Sequence, residues 1–150
     1  MYKTIDYGLN WSELSENFFE DIEIIGKYDQ TDTDGDGIND GDEVNVYGTE
    51  PLNTDSDDDD IEDGEEILTY FTNATLPDSD GDGLDDGEEI NDYLTEPLLN
   101  DTDGDGLDDG DEVNIYLTNA TMQDTDGDGL KDGEEINEYS TEPLDIDSDD

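Results

Sequence analysis

The chain has 150 residues, enough for one ordinary domain, but only 29% are hydrophobic, against roughly 45–50% apolar (glycine included) in a typical globular domain. Asp and Glu number 51 against 3 Lys and Arg; the formal net charge of -48 excludes nucleic acid as a direct partner and leaves either disorder or neutralisation by cations. Cysteine and histidine are absent, which removes disulfides, thiolate and imidazole metal sites and the usual general base, and leaves hard oxygen ligands suited to calcium, magnesium or manganese.

Residues 1–31 stand apart in composition. Tyr2, Tyr7, Trp11, Phe18, Phe19 and Tyr28 concentrate half of the aromatics there. Ser12 is placed to cap a short helix running to about Glu20, and Ile22-Glu23-Ile24-Ile25 reads as a brief strand. The segment is expected to be an end cap on the acidic repeats that begin at Asp32, or an assembly segment that docks on another subunit. The opening MYKTIDYGLNWSE lacks the basic-then-apolar layout of a signal peptide, and no run of 18 apolar residues occurs anywhere.

From Asp32 the chain repeats. Twelve-residue acidic segments start at Asp32, Asp55, Asp78, Asp101 and Asp124, at one constant spacing with no insertion or deletion. A sixth opens at Asp147 as DSDD. Constant length is the mark of stacked repeats, each making the same contacts with its neighbours, and a disordered acidic tail has no reason to keep it. The expected organisation is therefore an N-terminal segment, 1–31, and an array over 32–150.

Each segment fits a loop of oxygen ligands. Position 1 is Asp32, Asp55, Asp78, Asp101 and Asp124; position 3 is Asp34, Asp57, Asp80, Asp103 and Asp126; position 5 is Asp36, Asp59, Asp82, Asp105 and Asp128. Position 9 is Asp40, Asp63, Asp86, Asp109 and Asp132, and position 12 is Glu43, Glu66, Glu89, Glu112 and Glu135. Position 7 offers a backbone carbonyl from Ile38, Ile61, Leu84, Leu107 or Leu130. Calcium takes about six to eight oxygens, and alternating Asp on a tightly curved backbone supplies them, with the longer Glu reaching back. Position 6 is glycine except for Asp60, which is expected to adopt the same left-handed backbone under strain. Five carboxylates around one calcium leave about −3 per loop, which calls for a second ion. Position 11 (Asp42, Glu65, Glu88, Asp111, Glu134) and position 8 (Glu62, Asp85, Asp108) are candidates to hold it, or serve only to keep the surface soluble. Asp147 and Asp149 form a partial sixth site that a neighbouring chain would complete in a head-to-tail fibre.

Val or Ile at position 13 (Val44, Ile67, Ile90, Val113, Ile136) and Tyr at position 16 (Tyr47, Tyr70, Tyr93, Tyr116, Tyr139) share one face of an α-helix. Positions 10 to 17 are therefore predicted as two helical turns, too short to persist alone, with the tyrosines filling the space between repeats. Pro51, Pro97 and Pro143 are expected to end those turns. The connectors alternate: Thr-Glu-Pro-Leu at Thr49, Thr95 and Thr141, Thr-Asn-Ala-Thr at Thr72 and Thr118. Alternation predicts either a two-repeat unit whose halves face opposite sides or a duplicated two-repeat block. Asn10, Asn73 and Asn119 lie in Asn-x-Ser/Thr acceptor triplets for glycosylation.

With DTDGDGLDDGDEV units and the Tyr47-Gly48-Thr49-Glu50-Pro51-Leu52-Asn53 connector, residues 32–147 resemble the bacterial form of the thrombospondin type 3 repeat. The resemblance implies an elongated rod of calcium loops, each followed by a short helix, with little conventional core, and a non-enzymatic extracellular or cell-surface spacer, stalk or fibre subunit of a microbe. It makes the Asp and Glu positions above calcium ligands, at least five ions and up to about two per repeat. The absence of cysteine and the Thr-Asn-Ala-Thr connectors depart from the family pattern. Dockerin-type modules have similar loops but carry two copies and longer helices. The alternatives are a calcium-dependent protein-binding or adhesion module using the aromatic N-terminus, and a calcium buffer or sensor, which would need longer paired helices.

Overall fold

The computed structural model describes residues 30–146. The N-terminal helix, the strand, Asn10, Asp147 and Asp149 expected from the sequence lie outside the described residues.

Every repeat builds the same short helical hook. A single α-turn is followed without a break by a π-turn: α1 Asp40–Asp42 and π1 Glu43–Tyr47, α2 Asp63–Glu65 and π2 Glu66–Tyr70, α3 Asp86–Glu88 and π3 Glu89–Tyr93. The pattern continues with α4 Asp109–Asp111 and π4 Glu112–Tyr116, then α5 Asp132–Glu134 and π5 Glu135–Tyr139. No strand occurs among the described residues. The predicted helices are present, shifted one residue earlier, and their second turn is wider than expected. It closes from Gly48 N–H to the Glu43 carbonyl (2.6 Å) and from Phe71 N–H to that of Glu66 (2.6 Å), an i+5 closure rather than i+4. π-turns of one turn's length concentrate at functional sites, and each of these begins at a position-12 Glu.

Positions 13 and 16 flank the widened turn and are partly covered: Ile67, Ile90, Val113 and Ile136 are half-buried, and Tyr93 lines one cavity with Val113 of the next repeat. Tyr47, Tyr93 and Tyr139 are exposed, and Tyr70 and Tyr116 half-buried. The buried apolar side chains are Ile38, Ile61, Leu84 and Leu107 of the loops and Ala74 and Ala120 of the connectors. The helix stop is corrected too. The residue after each π-turn is left-handed: Gly48 (φ 87), Phe71 (φ 64), Leu94 (φ 62), Leu117 (φ 62) and Ser140 (φ 60). That reversal ends the hook three residues before the proline.

The two connector types trace one turn. Asn53 N–H meets the Glu50 carbonyl at 2.9 Å, and Leu76 N–H meets that of Asn73 at 2.8 Å. The later connectors do the same, Leu99 to Glu96 at 2.9 Å and Met122 to Asn119 at 2.8 Å. Ala74 and Ala120 occupy the place of proline and are as buried as Pro97 and Pro143. Alternation is therefore silent in the backbone, and what alternates is side chains: Glu or Asn, Pro or Ala, Leu or Thr.

Repeats join where the α-turn of one meets the loop of the repeat before it. Gly110 N–H donates to Asp82 Oδ2 (3.1 Å) and Gly133 N–H to Asp105 Oδ2 (2.7 Å), each across 28 residues. Asn100 Nδ2 donates to the Asp80 carbonyl (3.0 Å), Gln123 Nε2 to that of Asp103, and Lys131 Nζ to that of Gly104 (3.3 Å). A Cβ on Gly64, Gly87, Gly110 or Gly133 would overlap the position-5 carbonyl of the repeat before it. The backbone of each α-turn thus rests directly on the preceding loop.

Candidate metal centre

The loop is wound by its own carboxylates. Position 1 accepts two N–H groups: Asp101 Oδ1 from Gly104 at 2.8 Å and Oδ2 from Gly106 at 3.1 Å, and likewise in the loops at Asp55, Asp78 and Asp124. Position 5 accepts the N–H of position 7, as Asp36 Oδ1 does from Ile38 at 2.7 Å and Asp59 Oδ1 from Ile61 at 2.8 Å. These turns throw the carboxylates of positions 1, 3 and 5 to one side. Asp32, Asp34 and Asp36 bring carboxylate oxygens within 4.8 Å of one another, and so do Asp55, Asp57, Asp59 and Asp78, Asp80, Asp82.

Position 9 is held differently. Both Asp63 oxygens accept from Ser56 of its own loop, from N–H at 2.8 Å and from the hydroxyl at 2.6 Å. Asp40 with Thr33, Asp86 with Ser79 and Asp132 with Thr125 repeat the pairing. The same hydroxyl accepts the connector N–H, as from Glu50 to Ser56 Oγ at 2.9 Å, so it fastens connector to loop. Position 12 is fully buried in every repeat. From the second repeat on, a connector threonine donates to one Glu oxygen: Thr72 to Glu66 Oε1 (3.0 Å), Thr95 to Glu89 Oε1 (3.1 Å), Thr118 to Glu112 Oε1 (3.0 Å) and Thr141 to Glu135 Oε1 (3.0 Å).

The other oxygens have no donor. Among the described residues, sixteen buried side-chain oxygens lack a hydrogen-bond partner, and all but Thr49 Oγ1 belong to carboxylates. They include Oδ2 of Asp34, Asp80, Asp103 and Asp126 at position 3, both oxygens of Asp57, and Oε2 of every position-12 Glu. A folded domain leaves only a few buried polar groups unpaired, and a buried unpaired charge costs far more than a neutral group. Burial first, then the negative charge of Asp57, pushes Glu66 up to about 8. Burial pushes Glu89 and Glu112 up to about 8, and Glu43 and Asp59 up to about 7, with neighbouring Asp charges adding to it. The donor set consists of hard oxygens with no nitrogen or sulfur, and it fits calcium.

Of the second-ion candidates, Glu62, Asp85 and Asp108 at position 8 and Glu65, Glu88, Asp111 and Glu134 at position 11 are exposed, and Asp42 is half-buried. A second buried cluster is assembled from Asp36, Glu43 and Asp63, and from Asp59, Glu66 and Asp86. Sequence reasoning also missed Ser/Thr at position 2 and Thr at position 18. Their signal was invariance across all five repeats. Asn73 and Asn119 are exposed, each accepting at Oδ1 from the hydroxyl of Thr75 or Thr121 at 2.9 Å.

Residues 32–54, 78–92, 101–115 and 124–145 match the bacterial TSP3 repeat. The chain belongs to the bacterial TSP3 repeat family. Its unmatched second repeat is the one that carries Asp58 and Asp60 in place of glycine. Two solved structures are similar over short stretches. A biofilm associated protein BSP domain is 50% identical, covers 29% of this chain and 8% of that chain, and has a TM-score of 0.29. A biofilm associated protein B domain is 40% identical, covers 30% of this chain and 11% of that chain, and has a TM-score of 0.30. The match thus spans only a small part of those chains. No curated protein matches. Among the described residues no helix is long and apolar enough to cross a membrane.

Proposed function

We propose that this TSP3 array is a calcium-stabilised structural module, without catalytic activity, that serves as a rigid extracellular spacer, stalk or fibre subunit. The observation that carries this reading is the register of buried, donor-less carboxylates. They recur in every repeat and take the place a hydrophobic core holds elsewhere. Without cations, a chain of net charge -48 repels itself and buries anions at a cost its few apolar contacts do not offset. With them, the free energy of metal binding becomes folding free energy. Calcium at each loop would be held by carboxylates of positions 1, 3, 5 and 12 and by the position-7 carbonyl. Position 9 closes the loop through its Ser or Thr partner. Extracellular calcium modules bind at about 10⁻⁴ to 10⁻³ M, which matches calcium-rich media outside a cell and not a resting cytosol. The repeated clasp between loop and next α-turn supports stiffness, since each repeat meets its neighbour in the same way.

Circular dichroism and sedimentation velocity, with millimolar calcium and then with excess chelator, test this. Chelation is expected to abolish helical signal and to lower the sedimentation coefficient as the chain expands. Unchanged shape and helicity after chelation would overturn it.

A further inference from the structure

We infer that the cleft between the third and fourth repeats docks an arginine side chain of a partner protein. Asp92 and Tyr93 of the third repeat and Val113, Leu117, Asn119 and Ala120 of the fourth line a cavity of about 370 Å³, at the small end of ligand clefts. The connector type opens it. Counted by the repeat, the connector opposite Tyr47 and Tyr93 carries buried Ala74 or Ala120, and the one opposite Tyr70 and Tyr116 carries buried Pro97 or Pro143. The rings opposite alanine are exposed, Tyr47 42% and Tyr93 39%, and those opposite proline are half-buried. A pyrrolidine ring covers the tyrosine, and a methyl group leaves its face open.

The groups around the opening select a cation with an apolar stem. An aromatic face attracts cationic heads, and a guanidinium most readily, because it stacks flat on the ring. Asp92 is exposed beside the ring, and its carboxylate has no hydrogen-bond or ion-pair partner among the described residues. A carboxylate accepts both arms of a guanidinium at once, so one residue type satisfies ring and acid together. Val113, Leu117 and Ala120 give its methylenes an apolar wall. Neither this chain nor a second copy supplies the occupant, since the sequence contains no arginine. Lys131, the one basic residue among those described, donates to the Gly104 carbonyl. A net charge of -48 draws a basic partner and repels an acidic one, and five calcium ions would neutralise only part of it. The first cleft has Val46 where this one has Asp92, so it offers the ring without the acid.

Two-dimensional NMR of the full chain at saturating calcium tests the site. The probe is the capped peptide acetyl-Gly-Arg-Gly-amide, and its citrulline counterpart, alike in shape but uncharged, is the control. The arginine peptide is expected to shift the Tyr93 ring signals and the Val113 and Leu117 methyl signals saturably, and the citrulline peptide to leave them nearly unmoved. Asp92→Asn and Tyr93→Leu should each weaken the response roughly two- to fivefold, and both alter exposed side chains. Val46→Asp should strengthen the response of the Tyr47 ring to the same peptide. Shifts spread evenly over all five repeats would mean that arginine only joins the ion cloud, and would overturn the assignment. Equal responses to the two peptides overturn it as well, and so does cellobiose if it moves these signals where the arginine peptide does not.

Discussion

The loop at Asp55 and the loop at Asp101 follow the same path with different residues. Where the later loop has Gly104 and Gly106, the earlier has Asp58 (φ 64) and Asp60 (φ 76). The winding bonds are the same length nonetheless. Position 4 N–H meets position 1 Oδ1 at 2.8 Å in both, and position 6 N–H meets Oδ2 at 3.1 Å in both. Position 2 N–H meets the position-9 carboxylate at 2.8 Å in both. The carboxylate of position 1 sets the turn, and glycine at positions 4 and 6 only lowers its conformational cost. The glycine that both loops keep is position 10, Gly64 and Gly110, where a side chain would meet backbone and not solvent.

The largest expected effect leaves the two loops alike. Glu66 and Glu112 are both pushed up to about 8 by burial, so between their ordinary range and 8 the folded, ion-free chain binds more protons than the unfolded one. Ion-free stability should therefore fall as pH rises from about 5 to 8, and acidification should restore helicity in chelator. In calcium the trend reverses, because protons compete with the ion for the same oxygens. Circular dichroism against pH, with and without chelator, checks both signs; parallel curves would contradict them.

Next in size is the contrast among glycines. Gly110→Ala is expected to cost about 3 kcal/mol, since its Cβ overlaps the Asp82 carbonyl, which has no rotamer to escape into. Writing the earlier loop into the later one, as Gly104→Asp with Gly106→Asp, should cost only about 1 kcal/mol per residue. The reverse change, Asp58→Gly with Asp60→Gly, should gain a similar amount. Urea midpoints at saturating calcium measure all three, and a Gly110→Ala cost no larger than that of Gly106→Asp would reverse the ranking.

The smallest effect concerns the connector threonine. Thr118→Val removes the donor to Glu112 and should cost about 1 kcal/mol, read as a several-fold weaker calcium midpoint. Thr49 makes no such bond, as its hydroxyl has no partner, so Thr49→Val should leave the midpoint nearly unchanged.

Much of the array is legible in the sequence because a spacing that never varies from Asp32 to Asp124 has few physical explanations. The proximity of Asp32, Asp34 and Asp36 follows from alternation on a curved backbone. Asp60 is expected to be left-handed and is; Asp58 shares that conformation at a position the loop pattern does not mark as needing glycine. The second buried cluster is only partly legible. Excess charge per loop points to a further ion, but not to Asp63, tied to Ser56 of its own loop, also bringing a carboxylate oxygen within 4.8 Å of those of Asp36 and Glu43 in the previous repeat. The wide π-turn is hidden for a related reason. Helical periodicity assumes i+4 closure, and nothing in EVNVY or EINDY announces i+5. The aromatic cluster over 1–28 lies outside the described residues, apart from which only Phe71 and the five repeat tyrosines are aromatic.

The clasp from Gly110 to Asp82 spans 28 residues, one block plus five positions, and reappears one block later from Gly133 to Asp105. Unequal recombination that adds or deletes a whole block would leave every such clasp with a partner of the right kind. Loss or gain of a single codon within a block would misalign two neighbours at once. The packing of this array thus tolerates a change in length by whole blocks and resists any change in between.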